Sequence, residues 1–173
     1  MLVLEDFLKE FQIPEDWDIL LIGDGSGSTY QAGIGWAGIM LDRASGRFIT
    51  IAGAQTNGTV TIAEIYPYWQ LLRYHRYQMH KKSRDKPYKV FAFCDNKGVV
   101  SCANDEEDPS TNLDYWVAFK LIKTPFYQTQ FTHLPRDSNY LHNLVDQISV
   151  SAREYIQNLN SEMIPDVYEK VKI

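Results

Sequence analysis

The stretch from Asp18 to Ser28 constrains the fold of this chain more than any other segment. Four consecutive aliphatic residues, Ile19 to Ile22, run into an acidic turn that is rich in glycine. A continuous apolar run of this length is typical of a strand buried on both faces of a sheet. Asp24 then lies at the end of a central strand or inside it, where a lone carboxylate is costly to bury. The segment predicts a compensating hydrogen-bond network, cation or metal, and a tight turn in which Asp24 bonds the following amides is the simpler alternative.

The length and charge of the chain favour one acidic domain. A chain of 173 residues can bury a sizeable core within a single domain. We predict one domain over residues 1–173, with an N-terminal helical extension at 1–15 and a polar tail at 161–173. The net charge of −5 argues against a protein that simply coats nucleic acid with basic side chains. A nuclease stays open, because charge can be segregated on a surface.

The cysteines and the start of the sequence bear on the compartment. Cys94 and Cys102 are the only cysteines, and they predict neither a disulfide scaffold nor a metal-ligand set. No apolar run is long enough to cross a membrane. Residues 1–6 are acidic rather than basic, unlike a secretory signal. We therefore expect a cytoplasmic protein that is a monomer by default and has no membrane partner.

The pattern of apolar residues predicts a mixed α/β architecture. Helical spacing over 2–12 predicts an N-terminal helix, and three strands with short turns between them follow as an antiparallel meander. After the meander, helices and strands alternate, which implies a mixed sheet covered by helices. The predicted strands are about 18–24, 34–41, 47–54, 88–94 and 126–133, and further helices begin at about 61, 96, 113 and 141. We expect Pro67 to bend its helix. The helix from 113 is predicted to use Leu113, Trp116, Val117 and Leu121 as its apolar face.

Acidic side chains fall at the ends of the predicted strands and on two of the predicted helices. These residues are Asp24, Glu64, Asp95 and Asp146. Because the carboxyl ends of neighbouring parallel strands form a ligand-binding crevice, Asp24 and Asp95 would flank that crevice. The alternative is that the acids are unrelated, with Glu64 favouring a helix N-terminus and Asp95 capping the next helix.

Carboxylates that share one site need a positive partner. Like charges at close range would otherwise raise the pKa values of the group. Mg²⁺ and Mn²⁺ prefer carboxylate and water ligands, and two such ions can activate a water and stabilise a leaving oxygen in phosphodiester cleavage. The acids therefore point to a metal-dependent hydrolase.

Short motifs in these same places resemble the ribonuclease H family. The motifs are Ile22–Ser26, Thr61–Ile65, Phe93–Val100, and His133–Asn139 leading to Asn143–Asp146. The resemblance covers roughly residues 18–156. It implies a ribonuclease H-like α/β fold, with a five-stranded mixed sheet whose second strand is antiparallel, flanked by helices. Here the N-terminal helix is an addition to that fold.

The resemblance also implies an activity and a site. The activity is hydrolysis of the RNA strand of RNA–DNA hybrids, with two Mg²⁺ or Mn²⁺ ions held by Asp24, Glu64, Asp95 and Asp146. His133 is favoured over His142 as an auxiliary catalytic residue. Predicted substrate contacts are Gly25, Ser26, Gly27, Ser28, Asn57 and Arg136.

The sequence departs from the family in ways that leave other substrates open. Val60 and Thr61 stand where family members often carry asparagines that contact the minor groove. A nuclease acting on DNA or structured nucleic acid, such as a junction resolvase, is therefore an alternative. A non-catalytic nucleic-acid-binding module on the same fold is another. The basic stretch at 73–89 could contact phosphates or could be a solvated helix end and turn.

Overall fold

The computed structural model describes residues 3–27, 33–79, 85–123, 126–136, 139–159 and 167–169. Five helices lie in these ranges: α1 (Val3–Glu10), α2 (Val60–Met79), α3 (Lys97–Ala103), α4 (Leu113–Lys123) and α5 (Tyr140–Leu159). Six strands lie in them: β1 (Ile19–Gly27), β2 (Ile34–Asp42), β3 (Arg47–Gln55), β4 (Tyr88–Cys94), β5 (Tyr127–His133) and β6 (Val167–Glu169).

The strands form one mixed sheet in the order β5-β4-β1-β2-β3-β6. Strand β2 is antiparallel to both β1 and β3, whereas β4 is parallel to both β1 and β5. The predicted five-stranded mixed sheet with an antiparallel second strand and flanking helices is confirmed. The short strand β6 extends the sheet by pairing antiparallel with β3, in a part of the chain that the sequence predicted only as a polar tail.

Strand β1 is buried on both faces, as its apolar run predicts. Ile19 and Leu21 join a core that includes residues of α2 and α4. Leu20 and Ile22 face the other way, into a core with residues of α1 and α5. Strand β1 is longer than predicted and continues to Gly27, because β2 pairs with it along its whole length. Asp24 therefore lies inside the strand rather than at its end.

Helix α2 packs unusually close to β1. A Cβ placed on Gly25 would lie 2.3 Å from the carbonyl carbon of Ala63 and 2.4 Å from the amide nitrogen of Glu64. Thr59 begins the helix, because its side chain accepts a hydrogen bond from the amide of Ile62 (3.2 Å). The absent side chain at Gly25 thus allows the first turns of α2, and Glu64 with them, to lie directly on the strand.

Pro67 lies within α2, which is a single helical segment. It is buried, and its ring is close to the positions that Cβ atoms on Gly23 and Gly38 would occupy, at 3.0 Å and 2.9 Å. These two glycines therefore make room for the ring, which the sequence alone did not explain.

The predicted apolar face of α4 is partly wrong. Trp116 is buried, as expected, but Phe119 is the other buried residue of this helix. Leu113, Val117 and Leu121 are exposed. Trp116 and Phe119 pack edge to face, and Phe119 continues onto Phe131 of β5, which sets the rotation of the helix.

Several charges in the basic stretch at 73–89 and in the acidic loop at 105–108, which follows α3, serve the fold. Arg76 stacks over the ring of Phe126 (4.1 Å), and Lys89 pairs with Asp16. Asp105 of the acidic loop pairs with Lys120 and Lys123 on α4. Residues 80–84 of the basic stretch lie outside the described residues. Within the described part of the chain, no helix has both the length and the hydrophobicity needed to span a membrane.

Candidate metal centre

The site forms where β1 and β4 stop pairing. Ile22 and Phe93 are the last parallel partners, so Asp24 and Asp95 each lie two residues beyond that pair on neighbouring strands. The carboxyl ends of parallel strands at such a point form the crevice in which ligands bind on sheets of this kind. The prediction that Asp24 and Asp95 flank one crevice agrees with this register.

A buried tyrosine holds the two strands together at this point. The Tyr68 hydroxyl lies 2.9 Å from the carbonyl oxygen of Gly23 and 2.5 Å from that of Phe93, and it accepts a hydrogen bond from the Gly23 amide (3.1 Å). Tyr68 follows Glu64 by four residues, so the two side chains leave the same face of α2. The sequence interpretation missed this residue, although its spacing from Glu64 was the available signal.

Donor atoms for a metal ion converge here in two overlapping sets. One ligand atom from each of Asp24, Asp95 and His142 lies within 4.8 Å of the others, and the same holds for Glu64, Cys94 and Asp95. Asp95 belongs to both sets. Asp24 and Glu64 are 2% and 1% exposed, which makes them deeply buried carboxyl groups. The structure thus brings together three of the four predicted acids.

Burial shapes the electrostatics of these acids. Loss of hydration raises the pKa of Asp24 to about 7, while a hydrogen bond from Ser149 opposes the rise and the charges of Asp95 and Asp146 add to it. Loss of hydration also raises the pKa of Glu64 to about 9, with further contributions from the charges of Asp24 and Asp95. The fold therefore holds protonatable groups that a cation would stabilise in their charged form.

Cys94 contacts this cluster as a protonated thiol. It is fully buried, and burial raises the pKa of its thiol well above the ordinary value. Its sulfur lies 3.9 Å from Oε2 of Glu64, a distance at which the thiol is a weak donor to the carboxylate. Cys94 ends the strand predicted at 88–94, and the structure places it as the last residue of β4.

One face of α5 points at Asp24. His142, Asp146 and Ser149 follow a four- and then a three-residue spacing, which aligns them on that face. Oγ of Ser149 lies 2.8 Å from Oδ2 of Asp24 and 2.9 Å from the backbone oxygen of Asp146. A Cβ on Gly35 would lie 2.1 Å from the backbone oxygen of Ser149, so this glycine allows α5 to approach the sheet.

Asp146 differs from the other three acids because its side chain is exposed. Its charge still raises the pKa of Asp24, which places it near the rim of the site. The two donor sets described above do not include it. Ser149 was not identified from the sequence, although it follows Asp146 by three residues and His142 by seven.

The two histidines that compete for an auxiliary role have different neighbours. His133, the last residue of β5, has Nε2 3.1 Å from the backbone oxygen of Asp95. His142 is 2% exposed, and its Nε2 lies 4.0 Å from both Oδ1 of Asp24 and Oδ1 of Asp95. His142 is therefore the histidine beside the carboxylates, whereas His133 was favoured from the sequence. A catalytic role for either one stays a prediction.

The predicted substrate contacts surround the site unevenly. Arg136 is 76% exposed and donates from Nε to Oδ2 of Asp95 (2.5 Å). Asn57 is exposed in the turn before α2, and Ser26 is buried in the pairing of β1 with β2. Gly27 faces Val60. Ser28 lies outside the described residues.

The glycines of β1 have a packing role that the sequence did not anticipate. Gly25 and Gly27 are predicted substrate contacts, but α2 fills the space beside Gly25. Contacts between substrate and the main chain of these residues stay a prediction.

Asp95 does not cap α3, which was one alternative for its role. The N-cap is Asn96, whose side chain accepts a hydrogen bond from the amide of Val99 (3.2 Å). The side chain of Asp95 is therefore not used as a helix cap and is available in the crevice. Its Oδ1 is buried and has no hydrogen-bond partner among the described residues. A buried, unsatisfied anionic oxygen beside two other carboxylates fits a divalent cation with oxygen ligands.

Comparison with family models and curated proteins finds no match, whereas comparison with solved structures finds similar folds. No protein-family model matches the chain, and no curated protein matches it. The N-terminal ribonuclease H domain of a Mycobacterium tuberculosis protein, solved as a fusion with maltose-binding protein, has a TM-score of 0.67 at 14% identity, covering 83% of this chain and 98% of its own.

Two further structures agree. LC11-RNase H1 in complex with an RNA/DNA hybrid has a TM-score of 0.64 at 16% identity, covering 79% of this chain and 97% of its own. RNase H1 from Halobacterium salinarum has a TM-score of 0.61 at 14% identity, covering 79% and 98%. The chain therefore has a ribonuclease H-like fold.

Proposed function

We propose that this protein is a metal-dependent endonuclease of the ribonuclease H type that hydrolyses the RNA strand of RNA–DNA hybrids. The observation that carries the proposal is the convergence of Asp24, Glu64 and Asp95 at the carboxyl ends of β1 and β4. The ribonuclease H-like fold supports the reaction class, and a similar structure, LC11-RNase H1, was solved with an RNA/DNA hybrid.

The acids would hold the metal ions. Asp24 lies on β1, Asp95 directly follows β4, Glu64 reaches in from α2, and Asp146 stands at the rim on α5. Divalent ions bound there, Mg²⁺ or Mn²⁺, would supply activation of the attacking water and stabilisation of the leaving oxygen. The low exposure of Asp24 and Glu64 keeps bulk water away from their carboxylates.

Arg136 is the exposed cation that stands at the mouth of the site. Its guanidinium now pairs with Asp95, and its side chain is 76% exposed. A metal ion bound to Asp95 would compete with this pairing and free Arg136 for a substrate phosphate. The net charge of −5 makes such local cations the groups that position a polyanion.

Strand discrimination requires a group that senses the 2′-hydroxyl, since that group separates RNA from DNA. Glu64 lies against Gly25, whose backbone donates it a hydrogen bond. In our proposal Glu64 accepts a hydrogen bond from the 2′-hydroxyl at the cut position. A hybrid whose RNA strand carries a 2′-deoxy substitution there should resist cleavage, and undiminished cleavage would exclude this role.

The decisive experiment compares labelled hybrid, RNA duplex, DNA duplex and four-way junction in Mg²⁺ or Mn²⁺, with a chelator as the blank. We expect cleavage of the RNA strand in the hybrid alone. Asp95→Asn should abolish cleavage with the fold intact, because the amide keeps the shape but loses the charge that holds the ions. Glu107→Gln, an exposed acid in the loop after α3, is the matched control and should cleave like the wild type.

The outcomes separate the candidate functions. Cleavage of DNA duplex or junction in preference to hybrid would favour a resolvase-like nuclease. Binding of hybrid without cleavage in either metal would favour a non-catalytic module. Wild-type turnover by Asp95→Asn would remove the metal-site assignment.

A further inference from the structure

We infer that His142 is a direct nitrogen ligand of a metal ion held between Asp24 and Asp95, and that this ligand makes the centre prefer Mn²⁺ to Mg²⁺. The inference rests on the proposed function, because it concerns the same centre. It adds an imidazole ligand to the four predicted carboxylate ligands.

The distances around His142 suit an intervening ion. Nε2 of His142 lies 4.0 Å from Oδ1 of Asp24 and 4.0 Å from Oδ1 of Asp95. Both separations are too long for a direct hydrogen bond between those atoms. Imidazole and carboxylate ligands lie about 2.0–2.2 Å from an ion, so donor atoms on opposite sides of one ion are about 4 Å apart. A small movement of these side chains toward one another would bring the donor atoms to adjacent positions around the ion.

Asp95 presents one of its two oxygens to this space. Arg136 occupies Oδ2. Oδ1 points toward His142, is buried, and has no hydrogen-bond partner among the described residues. Oδ2 of Asp95 thus pairs with the exposed cation Arg136, whereas Oδ1 remains open to a metal ion. An ion beside His142 would satisfy that position.

The scaffold holds the imidazole in place. Helix α5 is fixed to β1 by the bond from Ser149 to Asp24 and to β2 by close packing at Gly35. His142 lies two turns before Ser149 on the same face, and its side chain is 2% exposed. A long, mobile side chain would lose entropy on binding an ion, whereas this ring is already confined.

The chemical types of the ligand atoms determine which metal ion the site prefers. Carboxylate and water ligands alone suit Mg²⁺, which dehydrates reluctantly and keeps oxygen neighbours. Imidazole suits first-row transition metals, and although Mn²⁺ is the weakest binder of that row and shares the carboxylate and water ligands of Mg²⁺, it gains more affinity from a nitrogen donor than Mg²⁺ does. A site with two carboxylates and one imidazole therefore binds Mn²⁺ more tightly relative to Mg²⁺ than a site with carboxylates alone.

The direct test is pulsed electron paramagnetic resonance of Mn²⁺ added to the full chain, with histidine labelled by ¹⁵N. We expect a ¹⁵N coupling of the size found for a directly bound imidazole. It should persist in His133→Asn, the matched histidine control, and disappear in His142→Asn. Absence of the coupling in the wild type would overturn the inference without any variant, and so would its persistence in His142→Asn.

Affinity gives a second, independent readout. Mn²⁺ binding followed by continuous-wave resonance should weaken by about tenfold or more in His142→Asn. The affinity for Mg²⁺, measured by competition, should change by less than about threefold, because an imidazole ligand contributes little to Mg²⁺ binding. Equal losses for both metals would overturn the metal preference. Circular dichroism of metal-free protein checks folding, and His142→Gln replaces His142→Asn if the latter does not fold.

Failure of this inference and failure of the proposed function can be told apart. If the ¹⁵N coupling is observed but no nucleic acid is cleaved, His142 is a metal ligand and the proposed nuclease function is refuted. Hybrid cleavage with no bound nitrogen and no preference for Mn²⁺ would leave the nuclease and refute the role of His142.

Discussion

The two halves of β1 are almost equally buried but chemically opposite. Residues 19–22 are aliphatic and pair with β2 on one side and β4 on the other. Residues 23–27 consist of three glycines, a serine and Asp24, and in this half only β2 remains as a sheet partner. Burial alone therefore does not distinguish the part of the strand that builds the core from the part that builds the site.

The difference lies in what burial does to each half. Burying an aliphatic side chain stabilises the fold by about 1.5–3 kcal/mol. Burying Asp24 has the reverse effect on its charged form and raises its pKa to about 7. The glycines let α2 lie against the strand, which delivers Glu64 into the same desolvated place. The carboxyl half thus lowers the stability of the fold and brings together carboxyl groups that could hold a cation.

The largest expected effect comes from Asp24→Asn in the carboxyl half. Cleavage of hybrid should fall by roughly a thousandfold or more, equivalent to about 4 kcal/mol of barrier. The unfolding free energy of the metal-free variant at pH 8 should rise by roughly 1–3 kcal/mol, because a buried charge is gone. Steady-state cleavage and urea denaturation in a chelator measure both. A variant that loses stability together with activity would contradict the comparison.

Leu21→Ala tests the apolar half. Leu21 is fully buried in the core with α2. Its truncation should lower the unfolding free energy by about 2–5 kcal/mol. Cleavage per folded molecule, measured well below the melting temperature, should stay within about twofold of the wild type, since the site lies further along the strand. A proportionate loss of specific activity would show that the two halves are not separable.

Gly25→Ala tests the junction between strand and helix. The new Cβ would meet backbone atoms of Ala63 and Glu64, which cannot rotate away. We expect a loss of about 1–3 kcal/mol in unfolding free energy, together with reduced cleavage as Glu64 is displaced. Gly98→Ala in α3 is the control, because its Cβ would meet only the side-chain oxygen of the N-cap Asn96, at 3.5 Å, and it should gain up to about 1 kcal/mol. Similar stability changes at the two glycines would contradict the packing argument.

Features that depend on local sequence were predicted well. The buried run Ile19–Ile22 and the strand Tyr88–Cys94 follow from the apolar pattern, and so does the mixed sheet. The face that α4 buries was partly missed, because Trp116 and Phe119 form the buried pair and Phe119 packs on Phe131 of β5, whereas Leu113, Val117 and Leu121 are exposed. Periodicity indicates that a helix has an apolar side but leaves its final rotation to its neighbours.

The site was predictable by residue type and less so by position. The acids could be chosen from the sequence because a carboxylate next to a buried apolar strand is costly without a partner and because the motifs around all four acids resemble the ribonuclease H family. The proximity of His142 to Asp24 depends on how α5 lies on β2, and that is set by Gly35, more than a hundred residues earlier. Similarly, the role of Tyr68 depends on β1 and β4 separating after Ile22 and Phe93. Such long-range contacts have no signature in one sequence.

The last expected effect is a pH dependence of stability that arises in the carboxyl half of β1 and in its neighbour on α2. The pKa of Asp24 is raised to about 7 and that of Glu64 to about 9, both above their ordinary values near 4. Between about pH 4 and pH 9 the folded protein therefore holds protons that the unfolded chain has already released. Their contribution to stability is complete below about pH 4 and is lost as pH rises through 7 and then 9.

Metal-free protein should accordingly lose up to about 1.4 kcal/mol of unfolding free energy per pH unit for each of these two groups that is still protonated, so the loss between pH 5 and pH 9 amounts to several kcal/mol. Denaturation at pH 5, 7 and 9 in a chelator measures the slope, and Asp24→Asn should reduce it while Leu21→Ala leaves it unchanged. Added Mg²⁺ or Mn²⁺ should restore stability most at high pH, because the ions bind the charged carboxylates and not the protonated ones. If Asp24→Asn does not alter the slope, the fold itself compensates the free-energy cost of burying Asp24. The two halves of β1 would then differ in composition but not in energy.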